Sequence, residues 1–535
     1  MKKSFTRSLL LFSSMIKAFS RPCTVVLKKA MLAMLFIAGF KGVCFAQPTV
    51  IGTDILLGPP NYVTYGLNAV GGFKQFRIQA TNPAVAGSIQ WQFTQGTAAV
   101  PDYNNKWMPY SGSCNGNPNV QIAGYNTFIA PATVPYPSTT ASATYSGAGG
   151  CPGFLPAVTA GLYYTFNVTN NAPNLNNNMS VLETVYNPAT ISTVTRNPAT
   201  VGGTVSPVIT AVMSAAPSAG EYVYVRYSTD NFATSTLAEL SFVGVTGTVS
   251  IPVLPAGANV TYYVYSSPKT SAQIGTDVGT YGQSAHDMAT LNVNNNGGSN
   301  YSYTVLPVTV NATNAGNDAS YNTLKAAFDA INLGTHTGTI NIWISGNTNE
   351  GALSAVLNAS GAPSSYTSVM VRPSGLSRTV SGNPAGPLID LNGADNVTID
   401  GLNDGSNSLT ISNSNSGATA GTSTIRMYNS ATANTVQNCI LEGSATTATG
   451  GIVFFSTGLL NTNILINSNT LRPAGSNLPL YAVCGSGTAN TAITISNNNI
   501  QDYFSAAQNS FGVFASTGSN AWTISNNRFY QTVPR

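Results

Sequence analysis

Apolar and polar positions alternate in a pattern that repeats along the last 140 residues of the chain, 396–535. Equivalent apolar positions recur at steps of 30, 29 and 29 residues, at Val436, Ile466, Ile495 and Ile524. Three places after these stand Cys439, Asn469, Asn498 and Asn527. Five places after them stand Leu441, Leu471, Ile500 and Phe529. A fixed step of this length is typical of stacked supersecondary units, each of which buries its apolar face against its neighbours.

Each repeat predicts two β-strands and a corner. The alternation around Ile493 and Ile495 predicts a strand with one buried face, and a second strand is predicted upstream in each repeat, at 424–428, 452–455, 480–484 and 512–515. The recurring asparagine predicts a corner, because Asn tolerates left-handed backbone angles and hydrogen-bonds its own backbone. In coils stacked ~4.8 Å apart, the side chains of Asn469, Asn498 and Asn527 can also bond to one another in a ladder.

This pattern resembles the right-handed parallel β-helix repeats of the pectate-lyase-like superfamily, over residues 306–535. The resemblance implies the fold and not an activity, because that fold hosts lyases, hydrolases, adhesins and inert stalks. An Asn-rich disordered tract is the alternative, and the regular Ile and Phe positions argue against it.

Two β-rich modules are predicted before the repeats. Residues 47–187 contain alternating runs at 76–80, 89–93 and 163–168, which predict a β-rich module of the sandwich type. Residues 188–305 hold about seven short strands with turn signals between them, as β-sandwiches do. Their pattern resembles fibronectin type III or early-set modules.

Residues 306–395 are predicted to form the N-terminal cap and first coils of the β-helix. They contain one amphipathic helix, at 321–331, with an apolar face made by Leu324, Ala327, Phe328 and Ile331. Such a helix would cover the exposed end of the stack. The predicted fold class is therefore all-β, with N-terminal β-sandwich-like modules followed by a right-handed parallel β-helix.

The first 46 residues have the form of a secretory signal peptide. They hold eight Lys or Arg and no acid, and an apolar run at 30–40 precedes a small-residue cleavage site between Ala46 and Gln47. The run is about half the ~20 residues that a membrane span needs. The expected location is secreted or on the outer-membrane surface, with no transmembrane span in the mature chain. A lipid anchor on Cys44 is the alternative, and Met15 is a plausible true start.

Charge argues against a nucleic-acid partner. The whole chain has 21 basic and 17 acidic residues, but without the leader's eight bases 13 and 17 remain, a net charge of −4. Only 7% of residues are charged, which is typical of β-rich extracellular proteins. A basic patch of the kind that binds nucleic acid is therefore not expected.

Four cysteines follow the leader. Cys114 and Cys151 lie 37 residues apart in one loop-rich region, and export to an oxidising compartment favours a disulfide between them. Cys439 and Cys484 are predicted to lie two coils apart, at least ~9 Å at the stacking step of a β-sheet. That distance is too great for a disulfide, so both are predicted to be buried free thiols.

Chemistry on this scaffold would need clustered acids and bases. The coil region has four acids, Asp400, Asp404, Glu442 and Asp502, and four bases, Arg426, Arg472, Arg528 and Arg535. Glu442 and Arg472 are predicted to form a surface ion pair between adjacent coils. The chain has neither the paired-Asp nor the Gly-His-Gly motif that polygalacturonase-like enzymes would show. We therefore expect no enzymatic activity, no metal and no cofactor.

Histidines and aromatic residues give weaker signals. His286 and His336 are isolated in sequence and are interpreted as surface residues, and Asp230 with Asn231 as a turn rather than a ligand loop. Exposed aromatic rings cover the apolar faces of sugars. The best candidates for glycan contact, in a predicted polar loop, are Tyr103, Trp107 and Tyr110. The alternative is that these three rings fill the core of the first module.

Taken whole, the chain resembles the secreted multi-domain β-helix surface proteins of Bacteroidota-type bacteria, on the phrases at 295–305 and 386–402. Such proteins often end in a sorting domain for type IX secretion. The repeats run almost to Arg535, so we expect this chain to be the front part of a longer protein. The predicted function is a structural or adhesion protein with a β-helix stalk, whose partner is an extracellular polysaccharide or cell-surface glycan. The alternative is the non-catalytic front part of a polysaccharide lyase or glycoside hydrolase.

Overall fold

The computed structural model describes most of the chain from residue 179 onward and parts of the region before it. The described ranges are 53–58, 63–66, 68–70, 73–84, 90–97, 100–107, 125–126, 128–129, 153–154, 156–169, 179–314, 318–456, 458–487 and 490–535. Side chains are described within 73–84, 125–126, 156–167, 180–314, 318–456, 458–487 and 490–535. The protein is all-β with a C-terminal β-solenoid, as predicted.

The first module consists of two antiparallel sheets. Its strands are β1 (Thr53–Gly58), β2 (Val63–Gly66), β3 (Asn68–Val70), β4 (Phe73–Gln79), β5 (Gln90–Thr97), β6 (Val100–Trp107), β7 (Phe128–Ile129), β8 (Gly153–Phe154), β9 (Tyr163–Thr169) and β10 (Met179–Thr184). One sheet has the order β2-β1-β5-β6, with β8 also on β5, and the other β3-β4-β9-β10-β7.

The prediction of a polar loop around Trp107 is wrong for residues 100–107. These residues form β6, which pairs with β5 so that Trp107 lies opposite Phe93. Cross-strand pairing decides the conformation there, whereas the polar composition of the segment suggested a loop.

The second module packs two sheets face to face and carries a helical insertion. Its strands are β11 (Ile191–Asn197), β12 (Val201–Gly202), β13 (Val208–Met213), β14 (Tyr222–Ser228), β15 (Thr236–Glu239), β16 (Ser241–Val243), β17 (Thr246–Ser250), β18 (Asn259–Ser267), β19 (Asn292–Asn294) and β20 (Tyr301–Leu306). The sheets have the orders β11-β13-β17-β16 and β12-β20-β18-β14-β15, with β19 also on β18. Between β18 and β19 lie two α-helices, α1 (Ser271–Tyr281) and α2 (Ala285–Met288).

The solenoid is a three-sided parallel β-helix of about six turns. Its elements are β21 (Val308–Asn314), β22 (Ala319–Tyr321), α3 (Leu324–Asn332), β23 (Thr337–Ile344), β24 (Thr348–Asn349), β25 (Ala355–Asn358), β26 (Tyr366–Pro373), β27 (Ser377–Gly382), β28 (Pro387–Asn392), β29 (Val397–Asp400), β30 (Ser408–Asn413), β31 (Ser423–Tyr428), β32 (Thr435–Gln437), β33 (Ile440–Gly443), β34 (Gly451–Phe455), β35 (Asn461–Asn467), β36 (Thr470–Pro473), β37 (Tyr481–Gly485), β38 (Asn490–Ser496), β39 (Asn499–Gln501), β40 (Phe511–Ala515), β41 (Thr523–Ser525) and β42 (Arg528–Tyr530).

Each turn places one strand in each of three sheets. Sheet 1 has the order β22-β21-β23-β26-β29-β32-β35-β38-β41, sheet 2 the order β24-β27-β30-β33-β36-β39-β42, and sheet 3 the order β25-β28-β31-β34-β37-β40. Val436 pairs with Ile466, and Ile466 with Ile495, so the register matches the alignment of the repeats. These side chains belong to one continuous apolar core that runs from the cap helix through the coils.

Asparagine ladders stabilise the corners of the coils. Asn469 Nδ2 donates to Asn498 Oδ1 at 3.1 Å, and Asn498 Nδ2 donates to Asn527 Oδ1 at 2.9 Å. A second ladder, which the sequence reasoning missed, joins Asn461 to Asn490 at 2.8 Å. Asn461, Asn469, Asn490 and Asn498 are buried between coils, so their ladder bonds replace bonds to water, and Asn527 is half-buried.

The ladder residues do not themselves adopt the left-handed backbone that the corner requires. That conformation belongs to the residue just before each ladder position, namely Asn438, Ser468, Asn497 and Asn526, with φ of 56°, 58°, 58° and 55°. The ladder asparagine contributes side-chain hydrogen bonds, and its predecessor turns the chain. The expectation that one asparagine does both is therefore wrong.

Helix α3 covers the first coil, as its apolar pattern predicts. Leu324, Ala327, Phe328 and Ile331 are all fully buried in the solenoid core. Its N-terminus is satisfied twice, because Thr323 Oγ1 accepts from the Ala326 amide and the buried Glu350 carboxylate accepts from the amides of Leu324 and Lys325. A carboxylate at this end also interacts favourably with the helix dipole.

The second module joins the β-helix without a flexible linker. Pro307 alone separates β20 from β21, and its carbonyl accepts from the amides of Ser345 and Gly346. Gly202 lies so close to the first sheet that a Cβ would stand 1.9 Å from Thr309 Oγ1. We infer that close packing holds the two parts in a fixed relation.

Candidate functional site

The outward face of sheet 3 carries the best-formed ion pair of the coils. Arg426 Nε and Nη2 donate to the two carboxylate oxygens of Asp390 at 2.9 and 2.7 Å, and the guanidinium lies 4.9 Å from the ring centre of Tyr428. Burial lowers the pKa of Arg426, but the hydrogen bond and charge of Asp390 outweigh burial and leave that pKa raised. This bidentate pair joins two adjacent coils and leaves little of the carboxylate for a substrate.

Glu442 and Arg472 are neighbours across sheet 2, as the repeat alignment predicts. Arg472 Nη2 and Nε donate to Glu442 Oε1 at 2.7 and 2.9 Å. The Arg472 side chain is 41% exposed, so the pair is a surface ion pair with a small contribution to stability.

Asp400 lies on the outward side of sheet 1 and is almost fully buried. It accepts hydrogen bonds from the Leu402 amide, Gln437 Nε2 and Asn438 Nδ2. Burial raises the pKa of Asp400, but these bonds and the charge of Arg372 outweigh burial and leave that pKa lowered. Asp400 therefore holds a turn in its ionised form.

The other coil carboxylates are also bonded to protein groups, within a turn for Asp404 and across to the next coil for Asp502. Asp404 accepts from the amides of Ser406 and Asn407, and Asp502 accepts from the amide and hydroxyl of Thr532. The carboxylates of Asp390, Asp400 and Glu442 stand on three different sheets. Glycoside hydrolysis requires two carboxyl groups ~5–9.5 Å apart across one bond. Within the described part of the chain, no group of three or more His, Cys, Asp or Glu residues could hold a metal ion.

Both histidines are buried, and the prediction that they are surface residues is wrong. His286 lies on α2, and its Nδ1 is 3.0 Å from Tyr265 Oη where the helical insertion packs on the sheet. Burial, with a smaller effect of the Arg226 charge, lowers the pKa of His286 to about 3. His336 Nε2 lies 2.6 Å from Tyr321 Oη beside helix α3. Both imidazoles are therefore structural elements of covered interfaces.

Arg226 organises a buried polar cluster that the sequence reasoning missed. Its Nε, Nη1 and Nη2 donate to Ser235 Oγ, Tyr263 Oη and Gln283 Oε1 at 2.9, 2.6 and 2.7 Å. The cluster joins β14 and β18 to the segment between α1 and α2. A usable signal was present, because Arg226 interrupts a strand whose other residues are almost all apolar or aromatic. Satisfied on every nitrogen by protein groups, this guanidinium holds the helical insertion on the sheet.

An aromatic cluster lies outside the core on sheet 3. Tyr481 and Phe514 stack with ring centres 5.2 Å apart, and Phe511 lies 5.3 Å from Tyr481. The cluster also includes the buried residues Phe454, Leu480 and Cys484, whereas Phe511 and Phe514 are only partly buried. A step of 30 residues between Phe454, Cys484 and Phe514 was the sequence signal for this row.

The two described cysteines are buried and free. Cys439 stands at the ladder position of its coil, where its amide donates to Asn469 Oδ1 at 2.9 Å. Burial raises the pKa of both thiols, that of Cys484 to about 12. Neither thiol is therefore a nucleophile at neutral pH.

Several predicted sites lie outside the described residues. These are the cleavage site at Ala46 and Gln47, the disulfide of Cys114 with Cys151, and the ring of Tyr110. Tyr103 and Trp107 lie on β6, but their side chains are also outside the described part. All of these stay predictions. The Asp230 segment is a turn, in which the carboxylate accepts from the amide and hydroxyl of Thr234.

Comparisons with known proteins do not indicate a function, which is therefore inferred from the geometry of the structure. No family model, no curated protein and no solved structure matches this chain. Among the helices of the described residues, none is long and apolar enough to cross a membrane.

Proposed function

We propose that the chain is a secreted or cell-surface structural and adhesion protein in which the β-helix is a rigid, non-catalytic stalk that displays the preceding modules to a glycan. One observation carries this proposal. Each carboxylate on the coils between residues 390 and 502 is held by an arginine, a turn amide or a neighbouring side chain. A general acid or base needs a carboxyl group that faces substrate, and these groups face their own scaffold.

The architecture supports a mechanical role. The coils share one apolar core, their corners are tied by asparagine ladders, and Pro307 is the sole residue between the second module and the β-helix. Continuous parallel ladders resist bending because each coil is bonded to the next along three sheets. The basic, apolar leader supports export of the chain.

A second candidate function is the non-catalytic front part of a polysaccharide lyase or hydrolase. The aromatic cluster of Tyr481, Phe511 and Phe514 favours it, because partly exposed rings on a β-helix face suit contact with a sugar chain. Both candidates involve glycan contact. They differ in whether a polysaccharide is cleaved.

The test combines binding and turnover on the intact protein. We expect the full chain to bind members of a panel of neutral and acidic polysaccharides and to release neither unsaturated uronates nor new reducing ends. Any slow turnover would be repeated with Glu442→Gln, since Glu442 is partly exposed and pairs with a half-exposed arginine. Turnover that this variant abolishes would overturn the non-catalytic assignment.

A further inference from the structure

A cavity lies at the joint between the second module and the first sheet of the β-helix. Its volume is about 420 Å³. The end of β11 and the turn that follows it form one wall, with Asn197, Pro198 and Thr200. Strand β21 and the start of β22 form the other, with Thr313 and with Asp318 just before β22. Ligand sites are ~300–1,000 Å³ and occur preferentially at domain interfaces, so both size and position suit a small ligand.

The two walls are fixed to each other. The Ser320 amide donates to Thr200 Oγ1 at 3.0 Å across the joint. Close beside this bond, Gly202 packs against Thr309 and Ser320 with no room for a Cβ. Both contacts connect the sandwich to the β-helix directly. Because the walls are already in place, little conformational entropy is lost when a ligand binds in the cavity.

The lining has the chemistry of a site for hydroxyl groups. Thr200, Thr309, Thr313 and Ser320 contribute hydroxyls, Asn197 an amide, and Asp318 a carboxylate. Among the described residues of the lining, Asp318 is the one charged side chain. Hydroxyls and amides both donate and accept, and a carboxylate accepts from two neighbouring hydroxyls. The lone negative charge disfavours anionic ligands.

We propose that this cavity binds a neutral saccharide unit of an extracellular glycan. The inference rests on the proposed function and adds to it a place and a ligand class. Sugar hydroxyls would donate to Asp318 and exchange hydrogen bonds with Asn197 and the threonines. The small apolar surfaces of Pro198 and Val205 would cover the carbon face of the ring.

The test fills the cavity from its rim. Asn197 is exposed, so Asn197→Trp places an indole in the mouth without opening the core. Thr193→Trp adds the same bulk to an exposed position of the same strand away from the cavity and is the matched control. Asp318→Asn removes the charge while keeping the shape. Circular dichroism checks the fold of each variant.

Binding of neutral oligosaccharides from the panel would be measured by titration calorimetry on the full chain. We expect Asn197→Trp and Asp318→Asn each to weaken binding at least about tenfold, with Thr193→Trp unchanged. Uronate oligosaccharides should bind more weakly than neutral ones of the same length.

Three results would overturn the inference in different ways. Folded Asn197→Trp that binds as tightly as the unmodified chain places the glycan elsewhere and leaves the proposed function intact. Absence of binding by the unmodified chain removes both the cavity site and the glycan contact from the proposed function. A preference for uronates also contradicts the cavity site, since Asp318 would repel them.

Discussion

The β-helix and the second module bury polar groups in two different ways. At their corners the coils bury neutral amides, which bond to identical amides one coil away, and the few buried carboxylates of the coils are held by Arg426 or by turn groups. The second module places ionisable groups between its sheet and its helical insertion, with Arg226 on β14 and His286 and the half-buried Asp287 on α2. The neutral ladders add a similar stabilisation at each coil and carry no charge. The ionisable cluster is a single, non-repeated arrangement whose stability depends on pH.

This difference explains what each region suits. Hydrogen bonds between neutral amides suit a stalk, because the stabilisation that each ladder gives does not change with pH. An insertion held by one network of ionisable groups has a free energy of opening that changes with pH. Three substitutions and one change of pH would distinguish the neutral ladders from the ionisable cluster. They follow from the largest expected effect to the smallest.

The largest effect is expected in the apolar core of the coils. Phe455 is fully buried and contacts Trp522 edge to face, with ring centres 5.4 Å apart. Phe455→Ala should lower the local free energy of opening by about 3–5 kcal/mol through the lost contacts and the cavity left behind. Hydrogen exchange should show the loss in the coils around β34 and not in the second module. Equal loss of protection in both would show that the coils do not behave as separate units.

Arg226→Met should be the most damaging change in the second module. It leaves the partners Ser235, Tyr263 and Gln283 without the guanidinium and should cost about 3 kcal/mol, measured by hydrogen exchange in α1 and the adjoining strands. Arg472→Met removes a charge of the same kind from the coil surface and should cost at most about 1 kcal/mol. Equal costs for the two variants would erase the distinction between the regions.

A single ladder position should contribute less. Asn498→Ala leaves the Asn469 amide and the Ile466 carbonyl without their partners, at a cost of about 2 kcal/mol. Asn499 is the adjacent, exposed residue, and Asn499→Ala should change the opening free energy by no more than about 0.5 kcal/mol. Thermal unfolding of both variants at one pH checks the pair, and a neutral Asn498→Ala would remove the ladder from the account.

The pH dependence that His286 and Asp287 give to the second module should be small. His286 has its pKa lowered to about 3, so its contribution to stability is present above pH 6.5 and is lost as the pH falls from 6.5 towards 3. Burial raises the pKa of Asp287 to about 6, and its contribution is present below pH 3.8 and lost as the pH rises towards 6. The two oppose each other, so the net loss between pH 8 and pH 5 should be about 1 kcal/mol.

Two variants resolve these opposing contributions. His286→Gln removes the loss on acidification, and Asp287→Asn removes the gain that offsets it, so the second variant should be the more acid-sensitive. Hydrogen exchange of α1 and α2 at pH 5 and pH 8 measures both. The coils that carry the asparagine ladders should keep the same protection at the two values, and a response there as large as that of the helices would contradict the comparison.

The same contrast decides what could be predicted from sequence. The repeated region was predictable because each coil must solve one packing problem, so Ile466, Ile495 and their equivalents recur at a fixed step. The helix that covers the first coil was predictable from its apolar face. The second ladder at Asn461 and Asn490 has the same step and was missed because its residues lie at the start of a strand.

The candidate sites were less predictable, because their partners are distant in sequence. His286 has no charged or aromatic residue at a suggestive spacing, yet it meets Tyr265 from another element. The Arg226 cluster depends on the helical insertion, which no periodic pattern indicated. The cavity at the joint needs walls from residues more than a hundred positions apart, Thr200 and Ser320. A contact that occurs only once in the structure produces no repeated pattern in the sequence.

The central claim is that the β-helix and the second module move as one rigid stalk and head. The most direct test is the distance distribution between spin labels on two exposed positions, one at Val243 in the second module and one at Leu376 in the coils. Labels at Leu376 and Leu459, both in the coils, set the width expected for a rigid body. The account predicts a single distribution of that same width across the joint. A broad or two-peaked distribution across the joint would contradict it.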